Sequence, residues 1–168
     1  DRQFQDIEIN MVAEHGLYIK RSGKKWESTV KSDIRWKERV KPILMEYVNR
    51  CNGTFIEEKN GSLAWHYRNA DMDFAQLRLN ELKDELAEII RYKTDLEILE
   101  GNKVLEVKSG KYDKGQAAKV FMTNEQYDFI MAAGDDKTDE FLFQALPESA
   151  FTIKAVSYTH LTLPTNRE

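Results

Sequence analysis

The residues best suited to chemistry sit late in the chain, in Gly134-Asp135-Asp136-Lys137-Thr138-Asp139-Glu140. A short apolar run, Phe129 to Ala133, predicts a buried strand that stops at Gly134. Two adjacent carboxylates follow at once. In an open α/β sheet, the loop just past a strand's carboxyl end is where ligands bind. Asp135 and Asp136 repel each other there unless a cation neutralises them, and ligands that are all oxygen suit a hard ion such as Mg²⁺. The alternative is a solvated acidic turn, with Thr138 as a good N-cap and Asp139 and Glu140 at the positive end of a helix dipole. Spacing alone leaves both open.

Lys114 is the second candidate. Asp113 to Phe121 predicts a helix capped by Asp113, with Lys114 in the first turn, where the dipole disfavours a cation. An anion at that helix N-terminus would offset the penalty. A surface lysine tolerating a small cost would account for it as well.

The third candidate is a hairpin. Thr54–Lys59 and Ser62–Arg68 flank Asn60-Gly61, the dipeptide favoured in a type I′ turn. A two-residue turn sets Lys59 opposite Ser62, Glu57 opposite Ala64 and Phe55 opposite His66. Alternation then gives one face Glu57, Lys59, His66 and Arg68, and the other Ile56, Leu63, Trp65 and Tyr67. One face is built for a core and the other for polar contact. A solvated face carrying cross-strand ion pairs is the plainer account of the same pattern.

Other elements must position these groups. Ile9–Ala13 predicts a core strand running into Glu14-His15-Gly16, where His15 reads as a hydrogen-bonded structural residue. The polar stretch Arg21–Lys25 marks a domain boundary. Trp36, Val40, Ile43, Leu44, Tyr47, Val48 and Cys51 recur at helical spacing, so Trp36–Cys51 predicts an amphipathic helix ended by Gly53. Pro42 should bend it or mark a restart. Asn69–Asp73 caps a second helix whose apolar face is Ala75, Leu79, Leu82, Leu86, Ile89 and Ile90. Leu96–Leu99 and Val104–Val107, joined around Gly101-Asn102, predict another hairpin. Helix, hairpin, helix, hairpin implies helices on one side of an open-faced antiparallel sheet. Phe151–Lys154 predicts a final short strand.

Composition narrows the class. The chain's 168 residues suit one or two domains, and 41% apolar content is enough for a core. Twenty-five basic against 29 acidic residues, net −4, argue against non-specific nucleic-acid binding. No apolar stretch approaches membrane-span length. Cys51 is the only cysteine, which excludes a disulfide framework and a cysteine-rich zinc site, and fits a reduced cytoplasm.

Gly134–Glu140 resembles the last acidic motif of haloacid-dehalogenase-type phosphatases. Ala13-Glu-His-Gly16, Phe55-Ile-Glu-Glu-Lys59 and Ala64-Trp-His-Tyr-Arg68 occur with it in the order found in trehalose-6-phosphate phosphatases, and over residues 9–155 the chain resembles that family. The resemblance implies an α/β fold, with a partial Rossmann-like core (1–24 and 109–155) and an inserted α+β open-faced cap (25–108). It implies Mg-dependent hydrolysis of trehalose 6-phosphate to trehalose and phosphate through an aspartyl-phosphate. Asp135 then resembles the Mg²⁺ ligand, Asp136 a ligand or its organiser, and Lys114 the phosphate clamp. Glu57, Lys59, Arg68 and Glu106 resemble the cap residues that bind trehalose hydroxyls.

One part of the pattern is missing. No Asp-x-Asp-Gly, the motif that supplies the nucleophile, precedes Ile9, and Asp71-Met-Asp73 falls in the cap at a helix start. The expectation is a gene fragment truncated at both ends and inactive alone. Its parent is either free-standing or fused to the glycosyltransferase that makes the substrate. Residues 156–168 resemble a translated sequencing adapter and are set aside, His160 with them. Two alternatives remain: a non-catalytic sugar-phosphate-binding or regulatory domain of a synthase fusion, and a phosphatase for another sugar phosphate. Intact Asp135-Asp136 and Lys114 disfavour the first, and the hairpin set disfavours the second.

Overall fold

In the computed structural model, β1 (Met11–Ala13) leads through a tight turn of positive φ, Glu14–Gly16, into β2 (Tyr18–Lys20) and β3 (Glu27–Ser28). Then follow α1 (Lys37–Arg50), β4 (Phe55–Glu58), β5 (Ser62–His66), α2 (Met72–Arg91), β6 (Leu96–Gly101) and β7 (Val104–Ser109). The chain closes with α3 (Lys114–Met122), β8 (Met131–Gly134), α4 (Asp139–Ala145) and β9 (Phe151–Lys154). The structure describes every residue except 1–3, 5, 6, 32, 93, 94, 124 and 157–168. From 157 onward, the adapter-like tail therefore lies outside the described residues.

Among the described residues the strands form three sheets: antiparallel β1-β2-β3, antiparallel β4-β5-β7-β6, and a parallel pair, β8-β9. β3 lies beyond the boundary expected at residue 24, yet it pairs with β2.

Helical periodicity explains the main core. Val40, Leu44 and Tyr47 form one stripe of α1, and Ala75, Leu79, Leu82 and Leu86 one stripe of α2. Both stripes pack on the sheet face carrying Leu63, Trp65, Leu105 and Val107, all fully buried. Burying each such large side chain stabilises the fold by roughly 1.5–3 kcal/mol. Asp71 caps α2 by accepting the Phe74 N–H at 3.0 Å, and Asp113 caps α3 by accepting that of Gln116 at 2.7 Å. α1 runs unbroken through Pro42, so no restart occurs. The carbonyl that Pro42 leaves without a helical donor is that of Glu38, in the first turn, where the cost is small.

The hairpin register is the expected one: Phe55 faces His66, Glu57 faces Ala64, and the Lys59 N–H reaches the Ser62 carbonyl at 3.1 Å. The turn itself is not type I′, because neither Asn60 nor Gly61 has a positive φ. Gly61 is needed for space instead. A Cβ there would come within 2.3 Å of the Tyr112 hydroxyl and 2.5 Å of Leu17.

Two other expectations fail for one reason. The strand ending at Gly134 is present, but Met131 is 59% exposed and the adjoining Phe129 64%. β1 is likewise a strand with Val12 exposed. Among the described residues, β8 has one neighbour, β9, and β1 has one, β2. A core strand needs neighbours on both edges and cover on both faces.

Candidate active site

Strand pairing assembles the first half of the site. β5 lies between β4 and β7, so Ala64 is flanked by Glu57 on one side and Glu106 on the other. These residues share the sheet face opposite α1 and α2. Glu106 is nearly buried; one carboxylate oxygen accepts the Ser62 hydroxyl at 2.5 Å and the Lys59 ammonium at 3.5 Å. The other accepts His15 Nε2–H at 2.9 Å. Burial opposes ionisation of Glu106, yet the hydrogen bonds from His15 and Ser62, with the charges of His15 and Lys59, outweigh it and hold the carboxyl down at about 2. Glu57 sits further along the face, 2.9 Å from His66 Nε2 and 3.9 Å from Lys59 Nζ.

The second half is the loop from β8 into α4. Asp136 Oδ1 accepts the Thr138 N–H (2.7 Å), the Thr138 hydroxyl (2.6 Å) and the Asp139 N–H (3.1 Å). Asp136 therefore caps α4. Thr138, the expected N-cap, spends its hydroxyl as a donor and makes no cap bond of its own. The Asp136 carboxylate, a strong acceptor, instead holds the Thr138 and Asp139 amides from two and three residues back. Burial opposes ionisation of Asp136 as well, but the Thr138 hydrogen bond, the Lys114 charge and the loop amides hold its carboxyl below the ordinary range.

Asp139 is the buried centre of this loop. Its Oδ2 accepts the N–H groups of Asp135 (3.0 Å) and Asp136 (3.1 Å), while Oδ1 takes the Lys114 ammonium at 2.7 Å. Lys114 also stands 3.4 Å from Asp136 Oδ2. Gly134 makes this possible, because a Cβ there would lie 2.3 Å from Asp139 Cγ. α3 and α4 approach closely at Gly115, where a Cβ would meet the Phe141 carbonyl at 2.2 Å.

A cleft of about 370 Å³ separates the two halves, with His15, Lys59 and Glu106 on one side and Asp135, Asp136 and Thr138 on the other. Of the residues singled out in the sequence, the structure brings Lys59, Glu106, Asp135 and Asp136 to this cleft. Lys114 stands behind it, against Asp136 and Asp139. Glu57 shares the sheet face but does not line the cleft. Arg68 is exposed beyond the end of β5, away from the cleft wall.

Sequence reasoning missed Asp139, read only as a first-turn acid, and the role of Ser62; it read His15 as a hydrogen-bonded residue but without its partner, Glu106. The spacing Asp-Asp-x-x-Asp held a signal for Asp139, since the third acid falls one turn after the pair. Nothing local could pair His15 with Glu106, 91 residues away.

The donor set suits a hard cation in part. Asp135 is exposed and contributes only its N–H to the described hydrogen bonds, leaving its carboxylate available. Asp136 Oδ1 is committed to the loop. Among the described residues, no three His, Cys, Asp or Glu side chains gather around a common point. Mg²⁺ matches such a site, because it binds through one or two carboxylates and keeps water or phosphate oxygens for the rest of its shell.

Comparison with known proteins gives a consistent picture. The family model described as trehalose-phosphatase matches residues 2–166. A bifunctional trehalose-6-phosphate synthase/phosphatase from Thermoproteus tenax is 40% identical over 148 residues, covering 88% of this chain and 20% of that protein. A trehalose-phosphatase from Schizosaccharomyces pombe is 33% identical over 170 residues, covering 94% of this chain and 21% of that protein. The chain thus spans about a fifth of the length of these curated relatives. Among solved structures, the C-terminal domain of C. albicans trehalose-6-phosphate phosphatase superposes with a TM-score of 0.79 at 29% identity, covering 86% of this chain and 54% of that one. The fold is accordingly the mixed α/β fold of these haloacid-dehalogenase-type domains. The chain belongs to the trehalose-phosphatase family.

Proposed function

We propose that this chain forms the sugar-reading cap and the cation-binding side of a Mg-dependent phosphatase that converts trehalose 6-phosphate to trehalose and phosphate. The observation that supports it is the two-sided cleft, where a polar, hydrogen-bonding sheet face looks across at a paired-carboxylate loop backed by a lysine. A neutral disaccharide rich in hydroxyls suits the first side and a phosphate with its metal the second.

On this reading Glu106 and Lys59 hold sugar hydroxyls, and Glu57 extends that surface. Glu106 stays ionised at any physiological pH and so acts as an acceptor only. Asp135 and the remaining oxygen of Asp136 would hold Mg²⁺, whose chemistry when bound is to neutralise charge on the transferring phosphoryl oxygens. Lys114, fixed by Asp139, adds a positive charge beside that group. Asp136 also locks the α4 N-terminus in place, so one residue serves both fold and site. The phosphoryl acceptor, an aspartate of an Asp-x-Asp pair, would come from outside these 168 residues. It would take the phosphoryl group as trehalose leaves with a proton, and water would then hydrolyse the acyl phosphate.

The test is phosphate release by the full-length protein. Trehalose 6-phosphate should be turned over with Mg²⁺ present and not after chelation, and far faster than glucose 6-phosphate. Equal rates on the two sugar phosphates would contradict the assignment of substrate.

A further inference from the structure

We propose that Glu14 and His15 are positioning residues, and that the strained turn between β1 and β2 seats the four-stranded sheet over the acidic loop and orients Glu106. This rests on the reading of Glu106 as a sugar-contacting group. Three consecutive residues of the turn have left-handed backbone: Glu14 (φ 48), His15 (φ 56) and Gly16 (φ 106). Two of them are not glycine. Such strain persists only where the surroundings over-determine it, and it clusters at functional sites.

The turn is held from two sides. Gly16 packs on the start of α3, where a Cβ would come within 2.3 Å of the Asp113 carbonyl, and its own carbonyl accepts the Thr29 hydroxyl at 2.7 Å. The side chains before it reach the sheet. The Glu14 carboxylate accepts the Gly61 N–H at 2.8 Å and the Asn60 side-chain amide at 2.9 Å, gripping the β4–β5 turn. His15 Nε2–H reaches Glu106 on β7. One three-residue turn therefore ties together α3, the hairpin tip and a candidate sugar-binding carboxylate.

Division of labour at Glu106 makes His15 specific. Ser62 and Lys59 both act on Oε1, and His15 is the described partner of Oε2. Without His15 the carboxylate can rotate about its remaining anchors, and the acceptor presented to the sugar is no longer fixed. Position matters because a small misplacement of a binding group is felt directly in affinity for the substrate.

The experiment compares His15→Ala, His15→Gln and Glu14→Gln in the full-length protein by two readouts. In NMR titration of the Glu106 carboxyl, needing no substrate, His15→Ala should raise the pKa from about 2 by about one unit or more. His15→Gln, which keeps an N–H donor, should move it less. In kinetics, His15→Ala should raise KM for trehalose 6-phosphate about tenfold with a much smaller change in kcat. Turnover of p-nitrophenyl phosphate, which does not fill the sugar site, should fall by a far smaller factor. Glu14→Gln should act in the same direction and speed hydrogen exchange at the Gly61 amide. An unmoved Glu106 titration, or equal losses on both substrates, would overturn the proposal. If the wild-type protein hydrolyses only the small ester, the substrate assignment fails, and the titration still decides whether His15 holds Glu106.

Discussion

The helix-backed sheet and the β8-β9 pair differ in how far each satisfies itself. In the sheet, Leu63, Trp65, Leu105 and Val107 are sealed under α1 and α2. In the parallel pair, Phe129, Met131, Phe151 and Ile153 are each more than half exposed, and Phe129 stacks on Phe151 at 5.5 Å for want of other cover. Apolar groups concentrate in both regions, but the described residues give only the first a lid. The candidate site lies where the two meet. Its sheet side is built on a complete core, while its acidic side is held chiefly by polar contacts, with Asp136 and Asp139 gripping backbone amides and Lys114.

That contrast sets the expected mutational effects. The largest should come from the acidic loop. Asp135→Asn removes a proposed metal ligand and should cut kcat by about a thousandfold on trehalose 6-phosphate and on p-nitrophenyl phosphate alike, about 4 kcal/mol in the barrier. Retained activity on the small ester would mean that Asp135 acts on the sugar side. Next is the core. Trp65→Ala should cost about 3–5 kcal/mol in denaturant unfolding. In the isolated chain, Phe151→Ala should cost under about 0.5 kcal/mol, as an exposed substitution does. A comparable loss at Phe151 would show the parallel pair to be covered after all.

The pH dependence is smaller. Glu106 has its folded pKa lowered from 4.5 to about 2, so its contribution is complete above the unfolded value and is lost as pH falls through the folded one. Glu106→Gln should therefore flatten the acid limb of stability between about pH 4.5 and 2. An unchanged acid limb would place the shift elsewhere. Arg68→Ala should give the smallest effect on sugar turnover, because Arg68 stands exposed and off the cleft wall.

Much of this was legible in the chain. The stripes Val40-Leu44-Tyr47 and Ala75-Leu79-Leu82-Leu86 state their helices and faces, and Asn60-Gly61 states the hairpin register. These are local signals, set by periods of 3.6 and 2. The turn type was misread because Gly61 is required by Tyr112 and Leu17, which are distant in sequence. The α4 cap was misread because the Thr138 hydroxyl is drawn off as a donor to the Asp136 carboxylate, which also takes the Thr138 amide. The buried state of β8 was inferred from hydrophobicity, yet burial depends on neighbours that a strand cannot supply for itself. For the site, strand alternation put Glu57 and Lys59 on one face. The pairing of β5 with β7, which brings Glu106 beside them, is non-local and needed the fold. His15 acts through a contact 91 residues away that no spacing rule encodes, whereas the Asp-Asp-x-x-Asp spacing did carry a signal for Asp139.

The central claim is that the cleft reads sugar on its sheet side and phosphate on its loop side. Lys59→Ala in the full-length protein, assayed on both substrates, tests it most directly. Loss of a charged hydrogen bond worth roughly 1.5–3 kcal/mol should lower kcat/KM for trehalose 6-phosphate by about ten- to a hundredfold. Turnover of p-nitrophenyl phosphate should change far less. Equal losses on the two substrates would contradict the account, and would place Lys59 in the phosphate site or in support of the fold.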